Sequence, residues 1–474
     1  MKDTSAGKYE LSPELITVQY KYMEKVAEFI RGDLPSPEKF CYVETYGCQQ
    51  NEADSETIRG MAIQMGYGIC DSAQDADLIV FNTCAVREHA EQRVFGNIGA
   101  LSHLKKKKPG LVIALCGCMA GEKQVVERIR KSFPYVSMVV NGNALWQLPE
   151  LLFEVLVSGK KAFAVPEGDG VIAEGLPKHR DRSVKAWLPI MYGCNNFCSY
   201  CIVPYVRGRE RSRRPDEVIK DAKELLANGA KDITLLGQNV NSYRGGEEGM
   251  AFPELITKVA ELDGDFRLRF MTSHPKDAND ELFKAMAGSD KIARHLHLPF
   301  QSGSDRILKL MNRGYSAEHY KALVASARKY MPELVVTGDV IVGFPGETEE
   351  DFMQTMALIE EVRYDALFTF IFSPRKGTKA ASMTDDTPDE VKKERFARLV
   401  KRQNEISAEI HAGYVGRTLE VLVDGESESA EGKLSARTDG GRLVVFEGDN
   451  RLIGEFVKVR IEKNTTWSLV GSLV

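Results

Sequence analysis

The sequence contains no long apolar segment. Nowhere in its 474 residues do about twenty apolar side chains follow one another, so no membrane-spanning helix is predicted. The first ten residues, Met1–Glu10, are polar and lack the apolar core of a signal peptide. We therefore expect a cytoplasmic protein without a membrane partner.

An excess of positive charge is also absent. The net charge is −5 and the isoelectric point is about 6.0, which excludes a protein that binds nucleic acid over its whole surface. RNA binding would therefore require local basic segments, of which two stand out, Lys105–Lys108 and Arg207–Arg214. The lysines lie at a predicted helix end, where solubility and a favourable interaction with the helix dipole account for them.

Paired cysteines are not expected either. The nine cysteines are an odd number and occur in a chain without a secretion signal, so a disulfide framework is disfavoured. In a reducing compartment such thiols are metal ligands, reactive groups or buried residues. At this length the chain is predicted to form two or three domains rather than one.

Three of the cysteines lie close together in a C-x-x-x-C-x-x-C pattern. Cys194, Cys198 and Cys201 directly follow a strand-like apolar run, Val184–Met191. Thiolates on one loop can converge on a single soft metal centre, and three of them on a four-iron cluster leave one iron open for an outside ligand. A zinc knuckle with a distant fourth ligand, or three structural thiols, remain the alternatives.

A second set of three cysteines lies before this loop. From Phe40 onward, short apolar runs alternate with helical periodicity, which predicts a small doubly wound α/β domain with a parallel sheet. Cys48, Cys84 and Cys118 each follow a predicted strand, so they are expected to meet at the carboxyl edge of the sheet. Their alternative role is packing, which is the role we assign to the remaining thiols, Cys41, Cys70 and Cys116.

After the cysteine loop, six predicted β-α repeats indicate a partial (β/α)6 barrel of the TIM type. Polar or glycine-rich sequence follows several strands, and such positions build the site of a barrel. The candidate ligand contacts at these positions are Gln238, Asn239, Ser273, Gln301, Ser302 and Gly343. His295 and His297 share one face of a strand, and we interpret them as packed or hydrogen-bonded rather than as metal ligands.

The remaining segments complete a domain prediction. Short alternating strands after Gly413 predict a small C-terminal β-barrel, a fold often used on RNA, although a bare β cap would show the same pattern. The predicted boundaries are 1–39 for an N-terminal extension, 40–160 for the first domain, 161–182 for a linker, 183–412 for the barrel and 413–474 for the last domain.

With these residues, the chain resembles the methylthiotransferases of the radical S-adenosylmethionine (SAM) superfamily. The resemblance runs from about residue 40 to the end and implies a methylthiotransferase N-terminal domain, a radical SAM barrel and a C-terminal TRAM domain of OB-like form. Tyr200 fits it as well, because that superfamily usually places an aromatic residue before the third cysteine and close to SAM. The resemblance implies that six cysteines bind two [4Fe-4S] clusters: Cys48, Cys84, Cys118, Cys194, Cys198 and Cys201.

Three substrates occur within the family. They are isopentenylated adenosine beside the tRNA anticodon, threonylcarbamoyl-adenosine at the same position, and an aspartate of a ribosomal protein. The segments Thr45–Gln49, Asn82–Glu91 and Ile202–Arg213 resemble the first, the MiaB type. The predicted partner is therefore the anticodon stem-loop of tRNA, and the alternative of another class is a metal-stabilised RNA-binding module without catalysis.

The resemblance also implies a mechanism. The cluster on the loop would bind SAM and cleave it to a 5′-deoxyadenosyl radical, which activates the C2–H bond of adenine. The second cluster would hold a sulfide that a first SAM methylates and that is delivered as methylthio. An electron donor such as flavodoxin or ferredoxin is implied, a monomer is expected, and no side chain is assigned as a catalytic acid or base. We expect Arg207, Arg209, Arg211, Arg213 and Arg214 to contact RNA phosphates; the alternative is a solvated face or pairing with Glu210, Asp216 and Glu217.

Overall fold

A computed structural model describes residues 9–32, 38–85, 88–166, 168–180, 184–428 and 430–474, without the side chains of 88–90. These residues form two compact units. The first contains the described part of 1–181 together with 191–195 and 201–213, and the second contains the described part of 182–190 with 196–200 and 214–474. The cysteine loop therefore contributes residues to both units.

The first unit is built on a parallel sheet of six strands in the order β2-β1-β3-β4-β5-β6. β3 and β4 are buried along their whole length, as expected for strands that are covered on both faces. Its elements, in chain order, are α1 (Pro13–Arg31), β1 (Phe40–Tyr46), α2 (Gln49–Gln64), β2 (Gly68–Ile69), β3 (Leu78–Thr83), α3 (Glu88–Lys107), β4 (Val112–Gly117), α4 (Lys123–Ser132), β5 (Met138–Asn141), α5 (Leu148–Ser158) and β6 (Ala162–Ala164).

Two separate apolar cores cover the two faces of this sheet. One core joins alternate strand residues to α1, α2 and α5, and the other joins the intervening residues to α3 and α4. Because side chains alternate across a strand, Ile79 faces one core and Val80 faces the other. The doubly wound fold expected for this part of the chain is confirmed.

The N-terminal extension, 1–39, has a structural role that the sequence did not reveal. Its helix α1 packs against α5 and α2 and places Met23 and Val26 in the core, each with no more than 1% of its surface exposed. The described part of this extension is therefore a layer of the first unit.

The expected linker, 161–182, also packs on the first unit where it is described. It supplies β6 to the edge of the sheet, and Ile172 forms a parallel bridge with Glu10. Further along, Arg180 forms an ion pair with Glu56 at 2.5 Å. The glycine, proline and charge that suggested a linker belong to a segment that is held by tertiary contacts.

The chain next passes through β7 (Lys185–Pro189) of the second unit and through β8 (Met191–Tyr192), α6 (Val203–Arg207) and β9 (Arg211–Ser212) of the first. β8 and β9 pair antiparallel on either side of the cysteine loop. The remaining elements are α7 (Pro215–Ala227), β10 (Asp232–Leu236), β11 (Arg244–Gly245), β12 (Met250–Ala251), α8 (Phe252–Ala260), β13 (Arg267–Phe270), α9 (Asp280–Ala287), β14 (His295–His297), α10 (Asp305–Leu310), α11 (Ala317–Tyr330), β15 (Val335–Val342), α12 (Glu349–Val362), β16 (Ala366–Ile371), α13 (Asp389–Ala412), β17 (Thr418–Glu426), β18 (Lys433–Thr438), β19 (Leu443–Glu447), β20 (Phe456–Asn464) and β21 (Ser468–Leu473).

Six parallel strands of the second unit form the partial barrel. They pair in two ladders, β7-β10-β13 and β14-β15-β16, and Leu268 of β13 forms an isolated parallel bridge with Ile292, three residues before β14. Helices follow the strands as crossover connections, so the carboxyl ends of all six strands point to one edge. The predicted (β/α)6 arrangement is confirmed.

The C-terminal segment forms a closed five-stranded barrel in the order β17-β18-β19-β21-β20. Asp439, in the turn after β18, accepts hydrogen bonds from the Arg267 guanidinium at 2.8 Å and from the Arg294 amide at 3.1 Å. Both donors lie at or just before the amino ends of β13 and β14. The small barrel is thus attached at the end of these strands opposite to the carboxyl edge. No helix in the described part of the chain has the length and apolar character needed to cross a membrane.

Candidate iron–sulfur and SAM sites

The first three cysteines lie at the ends of three neighbouring strands. Tyr46, Thr83 and Gly117 are paired side by side across β1, β3 and β4. Cys48 lies two residues beyond this line, whereas Cys84 and Cys118 each lie one residue beyond it. Because the strands are parallel, all three thiols emerge at the same edge of the sheet.

Close backbone approach holds these strand ends. Gly117 has a φ of +95°, and a Cβ at this position would lie 2.5 Å from the Thr83 carbonyl oxygen. The Asn51 side chain donates to Asn82 Oδ1 and to the Thr83 carbonyl, both at 3.1 Å, and its own oxygen accepts from the Cys48 thiol at 3.5 Å. Asn51 thus braces the site, a role that its place in the sequence did not indicate.

The thiols of this group interact with one another. A hydrogen bond from Cys84 and the nearby positive charge of Arg207 lower the pKa of Cys48 to about 6. Burial raises the pKa of Cys118, and Arg207 opposes that increase. In the described residues, no three His, Cys, Asp or Glu side chains surround a point that a single metal ion could occupy. The donor set of three adjacent thiols, one of them acidified, matches the thiolate ligation of an iron–sulfur cluster.

Arg207 provides the cation of this site. It is 6% exposed, its Nε donates to Cys118 Sγ at 2.8 Å, and its Nη2 forms an ion pair with Asp54 at 2.9 Å. The expected role of this arginine was contact with an RNA phosphate. In the structure its Nε and its Nη2 both bind protein groups of the first unit.

The amino end of the cysteine loop is fixed by backbone contacts within the first unit. Gly193 has a φ of +75°, and a Cβ there would lie 2.1 Å from the Arg209 carbonyl oxygen. The amide of Cys194 donates to the Gly208 carbonyl at 3.2 Å. The glycine before the first thiol of the loop is therefore required by the close approach of another backbone segment.

The middle of the loop is held by the second unit. Arg313 is 5% exposed, and its Nη1 lies 3.5 Å from both Cys198 Sγ and the Tyr200 hydroxyl. Its Nη2 donates to the Pro299 carbonyl at 2.7 Å. The amide of Ser199 donates to the Met311 carbonyl at 2.9 Å. Arg313 is a site residue that sequence reasoning missed, because it lies far from the loop in the chain.

Three buried polar atoms after β10 and β13 have no protein partner. They are Gln238 Oε1, Asn241 Nδ2 and His274 Nε2. Burial lowers the pKa of His274 to about 2, so this imidazole is neutral. Asn241 also lines a cavity of about 360 Å³. Buried polar groups are normally satisfied, so unpartnered atoms at the active edge of a barrel fit a polar ligand such as SAM.

Two other predicted SAM contacts after these strands are already satisfied by protein groups. The Asn239 amide donates to Asp277 at 2.7 Å and accepts from the His274 backbone at 3.1 Å. The Ser273 hydroxyl donates to Asn241 Oδ1 at 3.2 Å. These residues orient the neighbours whose polar atoms lack partners.

The predicted contacts in the second ladder have structural partners too. Gln301 adopts a φ of +67°, and its backbone N–H donates to the backbone carbonyl of Asp339 at 2.8 Å. Ser302 is 1% exposed and lies 3.4 Å from the Thr355 hydroxyl. Gly343, with a φ of +71°, donates its amide to Glu347 at 2.8 Å.

Two of the remaining predicted RNA contacts are buried. Arg213 forms two hydrogen bonds with Glu174, each 2.6 Å long, and Arg211 donates to the carbonyls of Arg207 and Arg209. Both arginines line a cavity of about 80 Å³ in the first unit. Arg209 is exposed, and so is Arg214 at the start of the second unit. The basic segment therefore presents fewer cations to solvent than its sequence suggests.

Other predictions about charged and cysteine residues have clear outcomes. His295 and His297 both hydrogen-bond to Thr337 Oγ1, at 2.8 and 3.0 Å, which confirms their structural role. Cys41 and Cys116 are fully buried, as expected, whereas Cys70 is partly exposed. In the motif Asn82–Glu91, residues 86 and 87 and the side chains of 88–90 lie outside the described residues.

Three family models match the chain. They are the radical SAM superfamily over residues 188–359, the uncharacterized protein family UPF0004 over residues 40–141, and the TRAM domain over residues 413–474.

Curated relatives match almost the whole chain. The tRNA-2-methylthio-N(6)-dimethylallyladenosine synthase of Acetivibrio thermocellus is 49% identical over 98% of this chain and 97% of the relative. The protein of the same name from Clostridioides difficile is 47% identical over 97% of both chains. Among solved structures, the radical SAM methyltransferase TsrM from Kitasatospora setae, with cobalamin and a [4Fe-4S] cluster bound, is similar with a TM-score of 0.52. It is 14% identical and covers 85% of this chain and 82% of its own, so it supports the fold alone.

Proposed function

This chain belongs to the radical SAM tRNA methylthiotransferases of the tRNA-2-methylthio-N(6)-dimethylallyladenosine synthase type, and from that premise we propose which of its residues serve the reaction. The enzyme uses SAM and [4Fe-4S] clusters. We assign one cluster to Cys48, Cys84 and Cys118 and the other to Cys194, Cys198 and Cys201. When bound, these groups supply sulfur and radical chemistry at C2 of the isopentenylated adenine beside the tRNA anticodon.

The observation that carries this proposal is the register of the first three cysteines. Cys48, Cys84 and Cys118 lie one or two residues beyond the ends of three adjacent parallel strands, at one edge of the sheet, and Arg207 adds a cation to the site. Three thiols leave one iron of a four-iron cluster open, which a methylthio transfer requires and a closed structural site does not provide.

On the SAM side, the protein's own groups position the ligand. Gln238, Asn241 and His274 present buried polar atoms without protein partners, and Tyr200 lies beside the loop cysteine that Arg313 contacts. Asn239, Ser273, Gln301, Ser302 and Gly343 hold the surrounding loops in place. Nδ1 of the neutral His274 accepts from the Lys276 backbone N–H at 3.3 Å, so its Nε2–H can donate one hydrogen bond without adding charge beside a sulfonium.

For the RNA, we propose that exposed cations and the C-terminal barrel make the contacts. Arg209 and Arg214 are exposed beside the cysteine loop in sequence. Trp467, in the turn before β21, is 65% exposed and offers a face on which a base can stack. Arg207, Arg211 and Arg213 support the loop from inside instead. We further propose a small electron-transfer protein such as flavodoxin or ferredoxin as reductant, and a monomeric enzyme in the cytoplasm.

One assay tests the substrate assignment. The reconstituted protein is incubated under anaerobic conditions with isopentenylated anticodon stem-loop RNA, dithionite and SAM, and the nucleosides are analysed by mass spectrometry. We expect the 2-methylthio nucleoside together with 5′-deoxyadenosine. Matched reactions contain threonylcarbamoyl-adenosine RNA or the ribosomal protein, and a product from either of these alone would contradict the assignment.

Metal analysis tests the class of protein. Two four-iron clusters predict about eight irons per chain and a brown protein after anaerobic purification. A colourless zinc protein would instead indicate a metal-stabilised RNA-binding module. Iron without any SAM cleavage under reducing conditions would indicate a scaffold without catalysis.

A further inference from the structure

Arg207 lies in the first unit, between the end of the cysteine loop and the first three cysteines. α6 begins two residues after Cys201 and ends at Arg207. Ile202 and Val206, from this same segment, form an apolar cluster with Ala85 and Cys118. A short rigid segment therefore starts at a thiol of one proposed cluster and ends with a cation on a thiol of the other.

The contact between Arg207 and Cys118 is buried and directional. Arg207 is 6% exposed and Cys118 is 5% exposed, and the Nε–Sγ distance is 2.8 Å. The ion pair with Asp54 at 2.9 Å holds the other side of the guanidinium, so the plane of the group is fixed by two partners. As a cluster ligand Cys118 would be a thiolate, and hydrogen bonds to ionised acceptors in a region without water are among the stronger ones in proteins.

We propose that Arg207 is a positioning residue for the cluster on Cys48, Cys84 and Cys118, which we call the auxiliary cluster. Arg207 donates a charge-assisted hydrogen bond to Cys118 and makes this cluster easier to reduce. Hydrogen bonds to ligating sulfurs, net charge and solvent exposure together set the potential of an iron–sulfur cluster. A buried cation at 2.8 Å acts through the first two of these factors. The inference rests on the proposed function, because it needs a cluster on Cys48, Cys84 and Cys118.

The chain offers a matched control for the loss of a buried arginine. Arg213 is 2% exposed, and its guanidinium forms two hydrogen bonds with Glu174. Replacing it by methionine removes the same charge from the same unit while the bond from Arg207 to Cys118 stays in place. Lysine at position 207 keeps the charge but cannot reproduce the two-sided geometry of the guanidinium.

The test uses the full chain with Cys194→Ala, Cys198→Ala and Cys201→Ala, so that one proposed cluster remains. Iron content, the electron paramagnetic resonance of the reduced state and the midpoint potential are measured with Arg207, with Arg207→Met, with Arg207→Lys and with Arg213→Met. We expect Arg207→Met to lower the equilibrium constant for reduction at least tenfold, which is 59 mV for a one-electron couple. The equilibrium constant for reduction in Arg207→Lys should lie between those measured with Arg207 and with Arg207→Met. Arg213→Met should change this constant less than threefold.

The outcomes separate the inference from the function on which it rests. A full cluster whose potential in Arg207→Met matches that of Arg213→Met would overturn the role of Arg207 and leave the proposed function intact. If the background with Arg207 binds no four-iron cluster, the auxiliary site itself is wrong, and the inference is wrong with it. If Arg207→Met does not fold, Arg207→Lys decides, since a potential unchanged from that of arginine would contradict the directional bond.

Discussion

At the residue scale, the sites depend on thiols and on the glycines that let other backbone segments approach them. Cys84 follows β3 and takes part in the hydrogen bond that acidifies Cys48. Gly193 precedes Cys194 and leaves no room for a side chain. Changes at these two positions should act on different clusters.

Replacing Cys84 by alanine should abolish methylthiolation while SAM cleavage continues, because the proposed loop cluster keeps its three ligands. The matched control is Cys70→Ala, which removes a thiol that we assign to neither cluster. Both activities are read from one reaction, as 5′-deoxyadenosine and as the methylthio nucleoside. Loss of both activities in Cys84→Ala, but not in the control, would show that this cysteine is needed for the fold.

Replacing Gly193 by alanine should displace the loop. The positive φ costs about 1–2 kcal/mol for an L-residue, and the added Cβ would meet the Arg209 carbonyl at 2.1 Å. We expect iron to fall from about eight to about four per chain. Gly96→Ala is the control, because Gly96 lies in α3, where an added Cβ would have nothing within 4 Å, and the change should gain roughly 0.5–1 kcal/mol. Full iron in Gly193→Ala would contradict the requirement.

At the scale of elements, α1 and the turn between β15 and α12 show how single segments contribute to the two units. α1 lies outside the match to the UPF0004 family at residues 40–141, yet it covers part of the sheet. The turn after β15 contains Gly343 and the buried Glu347. Each makes a measurable prediction about stability.

The apolar face of α1 should contribute to the free energy of unfolding of the first unit. Met23→Ala removes a side chain that is 1% exposed, and such changes cost about 2–5 kcal/mol. Phe29 on the same helix is 48% exposed, so Phe29→Ala should change the free energy of unfolding little. Denaturant unfolding of the apoprotein, followed in the first unit, measures both. Equal effects of the two substitutions would mean that α1 does not pack as described.

Glu347 should make stability depend on pH. Burial raises the pKa of its carboxyl from 4.5 to about 7, against the opposing effects of the Gly343 amide and Arg395. A raised pKa means that folding favours the protonated carboxyl. The contribution of Glu347 to the free energy of unfolding is therefore fully present below pH 4.5 and is lost as the pH rises through about 7. As the pH is raised from 5 to 8, the thermal midpoint of the native sequence should decrease relative to that of Glu347→Gln. A constant difference across that range would contradict the raised pKa.

At the scale of the whole molecule, the chain is organised as two units, and the C-terminal barrel belongs to the second. Its attachment is polar. Arg267 lies between Asp439 and Glu420, and Arg269 donates to the carbonyls of Thr438 and Asp439. The barrel is thus fixed to the second unit by charged groups at the amino ends of strands.

Breaking this attachment should loosen the C-terminal barrel. Asp439→Asn removes the ion pair with Arg267 at 2.8 Å and weakens the hydrogen bond from the Arg294 backbone N–H. This change should lower the free energy that holds the barrel in place by about 2 kcal/mol. Glu447→Gln is the control, since Glu447 is 84% exposed and its nearest cation is 3.8 Å away. The rate of limited proteolysis near residue 413 is measured in both variants and should be higher in Asp439→Asn. Equal protection in both variants would show that other contacts hold the barrel.

Much of the architecture was predictable because it depends on local pattern. Strands buried on both faces read as continuous apolar runs, and the periodic helices between them predicted both the doubly wound sheet and the six β-α repeats. β2 and β6 were not predicted, since each has only two or three residues and too little pattern to read. The structural role of α1 was missed because an amphipathic pattern does not say which surface it will cover.

The sequence by itself determined which thiols lie at strand ends, because the spacing of cysteines from apolar runs is a local property. Only the tertiary structure decided what Arg207 does. Its partner Cys118 is 89 residues away in the chain, and no local pattern specifies a contact at that separation. A buried guanidinium needs partners, and the fold supplies Asp54 and Cys118, so a residue predicted to contact RNA lies instead against a thiol of the proposed iron–sulfur site.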